Sequence, residues 1–584
     1  MSQTKNPELF FNFNDTQGIR KPMMFKDPVD IICATSIADV LPCLEKIQQF
    51  VEDGYYAAGY VTYEAAPAFD SEFRVNNGGN MPLLWFGIFN EPIREMLQDT
   101  GDFSIDEWTA SETANDYQTN LEHIKKYIEQ GDTYQVNYTI RLNSSFNGDT
   151  KAYYHQLAKA QSANYSAYIQ TADHTILSAS PELFFQKCKE KITTRPMKGT
   201  VKRGKTYEED YEKATWLVQS EKDQAENVMI VDLLRNDLGS IARPGSVQVP
   251  ELFSIEKYPT VYQMTSTVTA TIEKNTSIAD VFKALFPCGS ITGAPKISTM
   301  KIIQELETSP RGAYCGAIGY VTPDNEAIFN VPIRTVTIDH QDDSATYGVG
   351  GGVTWDSTSD GEYDEILTKA ALLKRKQPEF QLLESIGLVN GQYLVLENHM
   401  DRLEKSAQYF DFSIDLYAIR KKLVEIASNY TQGKWKVRLL VQKDGQFKYE
   451  TKQISEKPIG QVSVTLANNP VSSDDIFLYH KTTNRTVYEN ARSSYPNYYD
   501  VLLWNEKHEL TEFTGGNIVV KINGQLFTPP IECGLLGGTF RKKLVDSGKV
   551  KERIIHVEEL KECESIFFVN SVREWVPVKV TFHP

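Results

Sequence analysis

Residues 364–389, DEILTKAALLKRKQPEFQLLESIGLV, separate two kinds of sequence. The run DEILTKAALLKRK is helix-like, and its closing Lys374, Arg375 and Lys376 suit the negative end of a helix. Pro378 disfavours helix at the residue before it. LLESIGLV then has the apolar, branched composition of a strand. A domain boundary near residue 376 follows, with KRKQPEF (374–380) as the linker.

On the N-terminal side, strands are expected at 56–63 and 84–89, and a helix at 120–130 that Gly131 and Asp132 end. A second helix is expected at 220–235. Ser220 and Asp223 fit a capping box there, and Ala225, Val228, Met229, Val231 and Leu234 recur at helical spacing. A strand interrupted by glycines spans 344–355. On the C-terminal side, Asn390-Gly391 and Asn523-Gly524 each join two strand-like runs as hairpin turns. Helices are expected at 397–409 and 416–430.

At roughly 150 residues per domain, 584 residues suggest four units or two large ones. Hydrophobic residues at 41% and charged residues at 24% exclude a disordered or fibrous chain. Lys and Arg number 61 against 77 Asp and Glu, a formal charge of −16, which disfavours nucleic acid and membrane surfaces as partners. Seven Cys without a CxxC pattern point to a reducing compartment. The start, MSQTKNPELFFNFNDTQ, lacks the basic and apolar parts of a signal peptide. No apolar run approaches the ~20 residues that span a bilayer. The expectation is a cytoplasmic, multi-domain enzyme.

Several stretches of the first part look chemical. Glu362 and Glu365 lie three apart on an expected helix, so both carboxylates share a face. A solvated helix end has that pattern too; the sharper reading is a divalent cation, with Glu226 as a facing ligand. Oxygen-only ligation suits Mg²⁺ better than zinc. Lys198 sits between Pro196 and Gly199-Thr200, in a turn-like segment where backbone could approach a ligand. An isolated Lys is usually a solvated charge; as a nucleophile it must lose its proton, which burial or a neighbouring cation favours.

Nine strings occur in order from about Tyr117 to Ala371: IEQGDTYQVNY, SASPELFF, TRPMKGT, EKDQAENVMIVDLLRNDLG, PCGSITGAPK, SPRGAYCGAIGY, IRTVTI, GGGVTWDS and EYDEILTKA. In these the module resembles the chorismate-utilising enzymes, and among them component I of aminodeoxychorismate synthase. GYVTYEAAPAFD, from Gly59, resembles the amino-terminal part of that family. The resemblance implies that Lys198 attacks C2 of chorismate as the 4-hydroxyl leaves, and that ammonia then adds at C4 and the lysine departs. Related anthranilate synthases carry Ala at that position. Glu182 is implied in proton transfer, and Glu226 and Glu365, with Glu362 close by, as Mg²⁺ ligands. Tyr314, Arg334 and the backbone at Gly199, Thr200, Gly350 and Gly352 match positions that hold the other carboxylate. Met197 and Trp355 depart from the usual pattern.

In the second part, ENHMDRLEKSA, HKTTNR, ELTEFTGGNIV, LFTPP and GLLGGTFR resemble the class IV aminotransferases, which bind pyridoxal phosphate. The resemblance implies that Lys481 carries the cofactor and that Glu512 pairs with its pyridine nitrogen. Arg402 and the backbone at Gly538 and Thr539 are implied to hold its phosphate. Leu536-Gly537-Gly538 replaces a more usual Leu-Pro-Gly. Class IV includes branched-chain and D-amino-acid aminotransferases and aminodeoxychorismate lyase; the expected product of the first module favours the lyase.

The fold expected is α+β. Residues 1–110 form the amino-terminal part of the synthase module, 111–375 its chorismate-binding catalytic domain with large antiparallel sheets, and 376–584 a two-lobed class IV module. The expected function is synthesis of 4-aminobenzoate from chorismate and ammonia. The alternatives are an anthranilate- or salicylate-type synthase with an accessory aminotransferase, and a C-terminal module that only binds. No glutaminase is recognisable, so a separate glutamine amidotransferase is the expected partner; the fold also allows a homodimer through the C-terminal module.

Overall fold

The computed structural model describes residues 6–15, 18–99, 101–454 and 460–582. They form two compact units, Met1–Lys202 with Ala214–Gln377, and Arg203–Lys213 with Pro378–Pro584.

The first unit is built on two ten-stranded sheets. Residues 1–110 do not stand apart. Glu8–Asn14 and Arg20–Lys26 join one sheet, and Asp30–Ala34, Tyr56–Val61 and Leu84–Phe89 join the other. The strand Glu8–Asn14 shows why its sequence is a nearly unbroken apolar run. Leu9, Phe11 and Phe13 enter one core, while Phe10 enters another on the opposite face. Phe11 meets Phe13, Phe25 and Tyr320 edge-on at centroid distances of 5.5, 6.0 and 5.4 Å.

The expected helix at 120–130 begins earlier and spans Ala114–Gln130, because Thr113 and Asp116 make a full capping box. Gly131 ends it at φ 83°. The helix Glu221–Gly239 starts at Ser220, whose hydroxyl accepts the Asp223 N–H. The reciprocal half of the expected box differs: the Asp223 carboxylate takes the Ser220 hydroxyl instead of its backbone N–H. The strand Ser344–Val353 pairs along its whole length with Gln135–Gly148, and its glycines have a steric cause. A Cβ on Gly350 would lie 2.1 Å from the Tyr138 carbonyl oxygen.

The second unit holds a four-stranded antiparallel sheet and an eight-stranded mixed sheet. Asn390-Gly391 and Asn523-Gly524 turn with φ of 48° and 78°, and of 49° and 76°, the left-handed pair a two-residue hairpin needs. The expected helices are Leu396–Phe410 and Leu416–Asn429.

Residues 203–213 pack within the second unit, which no sequence pattern announces. Arg203 grips Asp210 with two 2.6 Å bonds, donates to the Tyr409 carbonyl at 2.9 Å and lies over the Tyr409 ring. The Tyr409 hydroxyl donates to the Gly204 carbonyl at 2.7 Å. Removing one partner of a buried ion pair strands the other charge. Arg203→Ala should therefore cost about 3–5 kcal/mol, read as an earlier denaturant transition of the C-terminal unit, while the conservative Arg203→Lys recovers part of it.

Candidate active sites

One cavity, of about 430 Å³, lies in the first unit. It is lined by Lys198, Glu182, Glu226, Glu362 and Glu365, by Tyr314 and Arg334, and by Gly199, Thr200, Gly350 and Gly352. The short strand Met197–Lys202 presents Lys198. Gly199 adopts φ 90° there, and its carbonyl accepts from Gln263 at 3.0 Å. The Thr200 hydroxyl donates to the same Gln263 at 2.9 Å. The Asn227 amide reaches the Lys198 carbonyl at 3.4 Å and fixes the strand against the helix Glu221–Gly239. A Cβ on Gly352 would lie 1.9 Å from Gln135 Nε2 and 2.6 Å from Lys198 Nζ, so a side chain there would displace both. Tyr314 fills the room that a side chain at Gly348 would need.

Withdrawal from solvent pulls the Lys198 amine below its ordinary pKa, and Lys369 adds to this; Glu226, Glu182 and Glu365 pull the other way. Glu182 is buried and raised to about 7 by desolvation, although Ser290 donates to it at 2.6 Å. A lysine drawn below its ordinary pKa and an acid raised to about 7 thus share a cavity.

Glu362 accepts from Ser357 at 2.6 Å through Oε1, while its buried Oε2 has no hydrogen-bond partner. Burial raises Glu226 and Glu362, and Glu365 raises both further. At Glu365 burial raises the pKa, but Lys369 at 2.5 Å, together with Lys198 and Arg334, brings it below the ordinary value. Among the described residues no three of these groups converge as a metal cage. The stranded Oε2 beside other carboxylates nonetheless has the donor chemistry that suits Mg²⁺.

A second cavity, of about 730 Å³, lies in the other unit and is lined by Lys481, Glu512, Arg402, Gly538 and Thr539. Lys481 is lowered to about 7 by desolvation, with Arg402 and Arg485 adding to it. Glu512 accepts from Tyr488 at 2.8 Å, from the Leu536 N–H at 3.0 Å and from Asn517 at 3.1 Å. Burial still raises it to about 7, although Lys481 and Arg485 pull the other way. Arg402 pairs with Glu384 at 2.6 and 2.9 Å and donates to the Gly537 carbonyl at 3.2 Å. His399 bridges Glu384 and Thr539, at 2.6 and 3.1 Å. A Cβ on Gly538 would stand 1.8 Å from Asn517 Oδ1, so the backbone at this helix start is bare. A glycine turn at a helix start, a nearby Arg, a buried Lys and a buried carboxyl fit pyridoxal phosphate.

Residues 12–375 match the family described as chorismate binding enzyme. The chain belongs to the chorismate-binding enzymes. Residues 381–580 match the class IV amino-transferases, so a second family's domain follows. Aminodeoxychorismate synthase component 1 of Salmonella typhimurium is 42% identical over 267 residues, 45% of this chain and 57% of that protein. The component 1 of Bacillus subtilis is 41% identical over 283 residues, 48% of this chain and 59% of that one. The matched stretch thus spans less than two thirds of these relatives. The crystal structure of anthranilate synthase component I from Streptococcus pneumoniae, 23% identical, superposes with a TM-score of 0.50 over 64% of this chain and 93% of that one, which shows a shared fold.

Three further residues of the chorismate-binding module, all within the quoted strings, support the site without having been singled out. Ser290 reaches Glu182 across 108 positions, and Asn227 reaches Lys198 across 29, so only the fold brings them together. Lys369 had a signal, its place four residues after Glu365, which on a helix makes an ion pair.

Glu182 also makes a pH prediction. Its folded pKa of about 7 lies above the ordinary carboxyl value of 4.5, so the folded state keeps the proton longer than the unfolded one. Stability is then full below the unfolded pKa and is lost as pH rises towards the folded one. Glu182→Gln should gain on the wild type by ~3 kcal/mol over that window, seen as a growing difference in urea midpoint; a constant difference would contradict it.

Proposed function

We propose that this chain makes 4-aminobenzoate in two steps. The observation that carries the reading is the pairing in one cavity of Lys198, drawn below its ordinary pKa, with Glu182, raised to about 7. In the first step Lys198 Nζ forms a bond to C2 of chorismate, both ring double bonds shift, and the 4-hydroxyl leaves as water with a proton from Glu182. Ammonia then bonds to C4, both double bonds return, and the C2–N bond breaks to release Lys198. The net change exchanges hydroxyl for amine and yields 4-amino-4-deoxychorismate and water. Arg334, Tyr314 and the backbone at Gly199, Thr200, Gly350 and Gly352 would hold one carboxylate. Glu226, Glu362 and Glu365 would hold Mg²⁺, which supplies a positive charge for the ring carboxylate.

In the second step the C4 proton passes to Lys481, pyruvate leaves, and the ring becomes aromatic. Pyridoxal phosphate, when bound, supplies the electron sink. Glu512 would face its ring nitrogen, and Arg402 with the backbone at Gly538 and Thr539 its phosphate. A separate glutamine amidotransferase would deliver the ammonia; the resemblance of residues 117–371 to component I supports this.

Purified protein given chorismate, ammonium, Mg²⁺ and pyridoxal phosphate should release 4-aminobenzoate and pyruvate. Anthranilate or salicylate as the aromatic product would refute the reading. Lys198→Ala should abolish amination, and Lys481→Ala should stop the reaction at aminodeoxychorismate. Glu182→Gln should slow amination by roughly 10²–10⁴-fold.

Metal removal gives an independent check. A chelator should halt the first step and leave conversion of supplied aminodeoxychorismate intact. Glu362→Gln should raise the Mg²⁺ needed for half-maximal amination by roughly 10-fold or more; an unchanged requirement would exclude Glu362 as a ligand.

A further inference from the structure

The helix Ala114–Gln130 turns Tyr117 into the core of the first unit, where the residue is 1% exposed. Its ring meets those of Tyr138 and Tyr363 at centroid distances of 5.3 and 5.8 Å. Packing alone asks only for a phenyl ring there. The Tyr117 hydroxyl is buried and has no hydrogen-bond partner. An orphaned polar group destabilises a core, so phenylalanine would serve the packing better. The neighbouring Tyr138 differs: its hydroxyl donates to Glu112 at 2.6 Å and accepts from Asn120 at 2.7 Å.

A second orphan lies on the element that Tyr117 packs against. Tyr363 belongs to the helix Ser359–Ala370, between Glu362 and Glu365. Glu362 is committed through Oε1 to Ser357, and its Oε2 is buried without a partner. The strand Ser344–Val353 leaves room beside that oxygen. A Cβ on Gly351 would lie 2.9 Å from Glu362 Oε2 and 3.7 Å from Glu365 Oε1. Burial raises Tyr117 above the ordinary tyrosine pKa, and Glu362, Glu365 and Glu112 add to this in that order, so its hydroxyl stays a donor. Of these carboxylates, Glu112 already accepts from Tyr138 and Asn120, and Glu365 pairs with Lys369. Glu362 keeps a buried oxygen with no partner.

A carboxylate that binds a cation needs its orientation fixed, and the groups that hydrogen-bond it govern metal affinity. We propose that Tyr117 is a positioning residue of the metal site, whose hydroxyl is the donor that aims Glu362 Oε2 at Mg²⁺. Tyr117 is not among the residues that line the cavity, so it acts through Glu362 alone. The inference rests on the reading of Glu362 as a Mg²⁺ ligand.

Its test needs no turnover. Mn²⁺ stands in for Mg²⁺, and electron paramagnetic resonance measures its binding to the full-length protein. Tyr117→Phe should weaken that binding by roughly 10-fold. Its thermal midpoint should stay level or rise, because an unpartnered buried hydroxyl has gone. Glu362→Gln should also weaken binding. In the double variant the loss should not exceed that of Glu362→Gln alone, since Tyr117 acts through that carboxylate. A Tyr117→Phe protein that binds Mn²⁺ as tightly as the wild type overturns the role. So does a double variant whose two losses multiply, the mark of a general effect on the fold. If Glu362→Gln leaves Mn²⁺ binding unmoved, the reading of Glu362 as a ligand falls, and the role of Tyr117 with it. If Tyr117→Phe alone is silent, the metal site stands and only the positioning role is lost.

Discussion

An amine reacts as a nucleophile only without its proton, and water keeps lysine protonated up to an ordinary pKa of about 10.4. Withdrawal from solvent is the first cause of the shift at both Lys198 and Lys481. At Lys481 the Arg402 and Arg485 charges reinforce the withdrawal. At Lys198 three carboxylates oppose it, and Lys369 is the cation that acts with it. Carboxylates oppose the shift at both, Glu384 and Glu512 at Lys481 and Glu226, Glu182 and Glu365 at Lys198, so each amine sits in a balance of charges.

At both cavities a glycine makes room for a side chain packed against it. Gly352 gives way to Lys198 Nζ, and Gly538 gives way to Asn517. Beneath the first cavity the rigidity is ionic. Arg311 donates to the carbonyls of Asn137 and Ile291, both of which line the cavity, at 2.8 Å each. Its guanidinium is paired with Glu307 at 2.6 Å, and Arg141 approaches the same carboxylate at 3.2 Å. These groups are nearly fully buried, where one unpaired charge would be costly. The trio therefore tolerates little displacement, which fixes the two carbonyls and the cavity floor with them.

Local pattern made much of this legible. The hairpin turns at Asn390 and Asn523 and the helix cap at Ser220 follow from short stretches of sequence, and the structure has the elements expected there. Ordered motifs brought Lys198, Glu182, Glu226, Glu362 and Glu365 to attention, and one cavity contains them all. What stayed hidden depends on distant pairing. The docking of 203–213 against Tyr409 joins residues some two hundred positions apart. The opposition of Lys436 and Lys452 exists only once strand register is set, since either lysine alone looks like a solvated strand residue.

Register also bears on what an overall charge of −16 can mean. A mean acidic balance acts at distances beyond a Debye length of ~10 Å, where it repels extended polyanions. Inside a cavity the field is set by the few side chains that face it. Strand pairing turns Lys436, Lys452 and Arg438 towards one space, while Glu384, on the neighbouring strand, is committed to Arg402 and His399. The commitment is strong enough to hold Glu384 at about 2, against the desolvation that would raise it. A carboxylate so occupied does not neutralise the lysines, and an acidic protein thereby keeps a locally basic cavity wall.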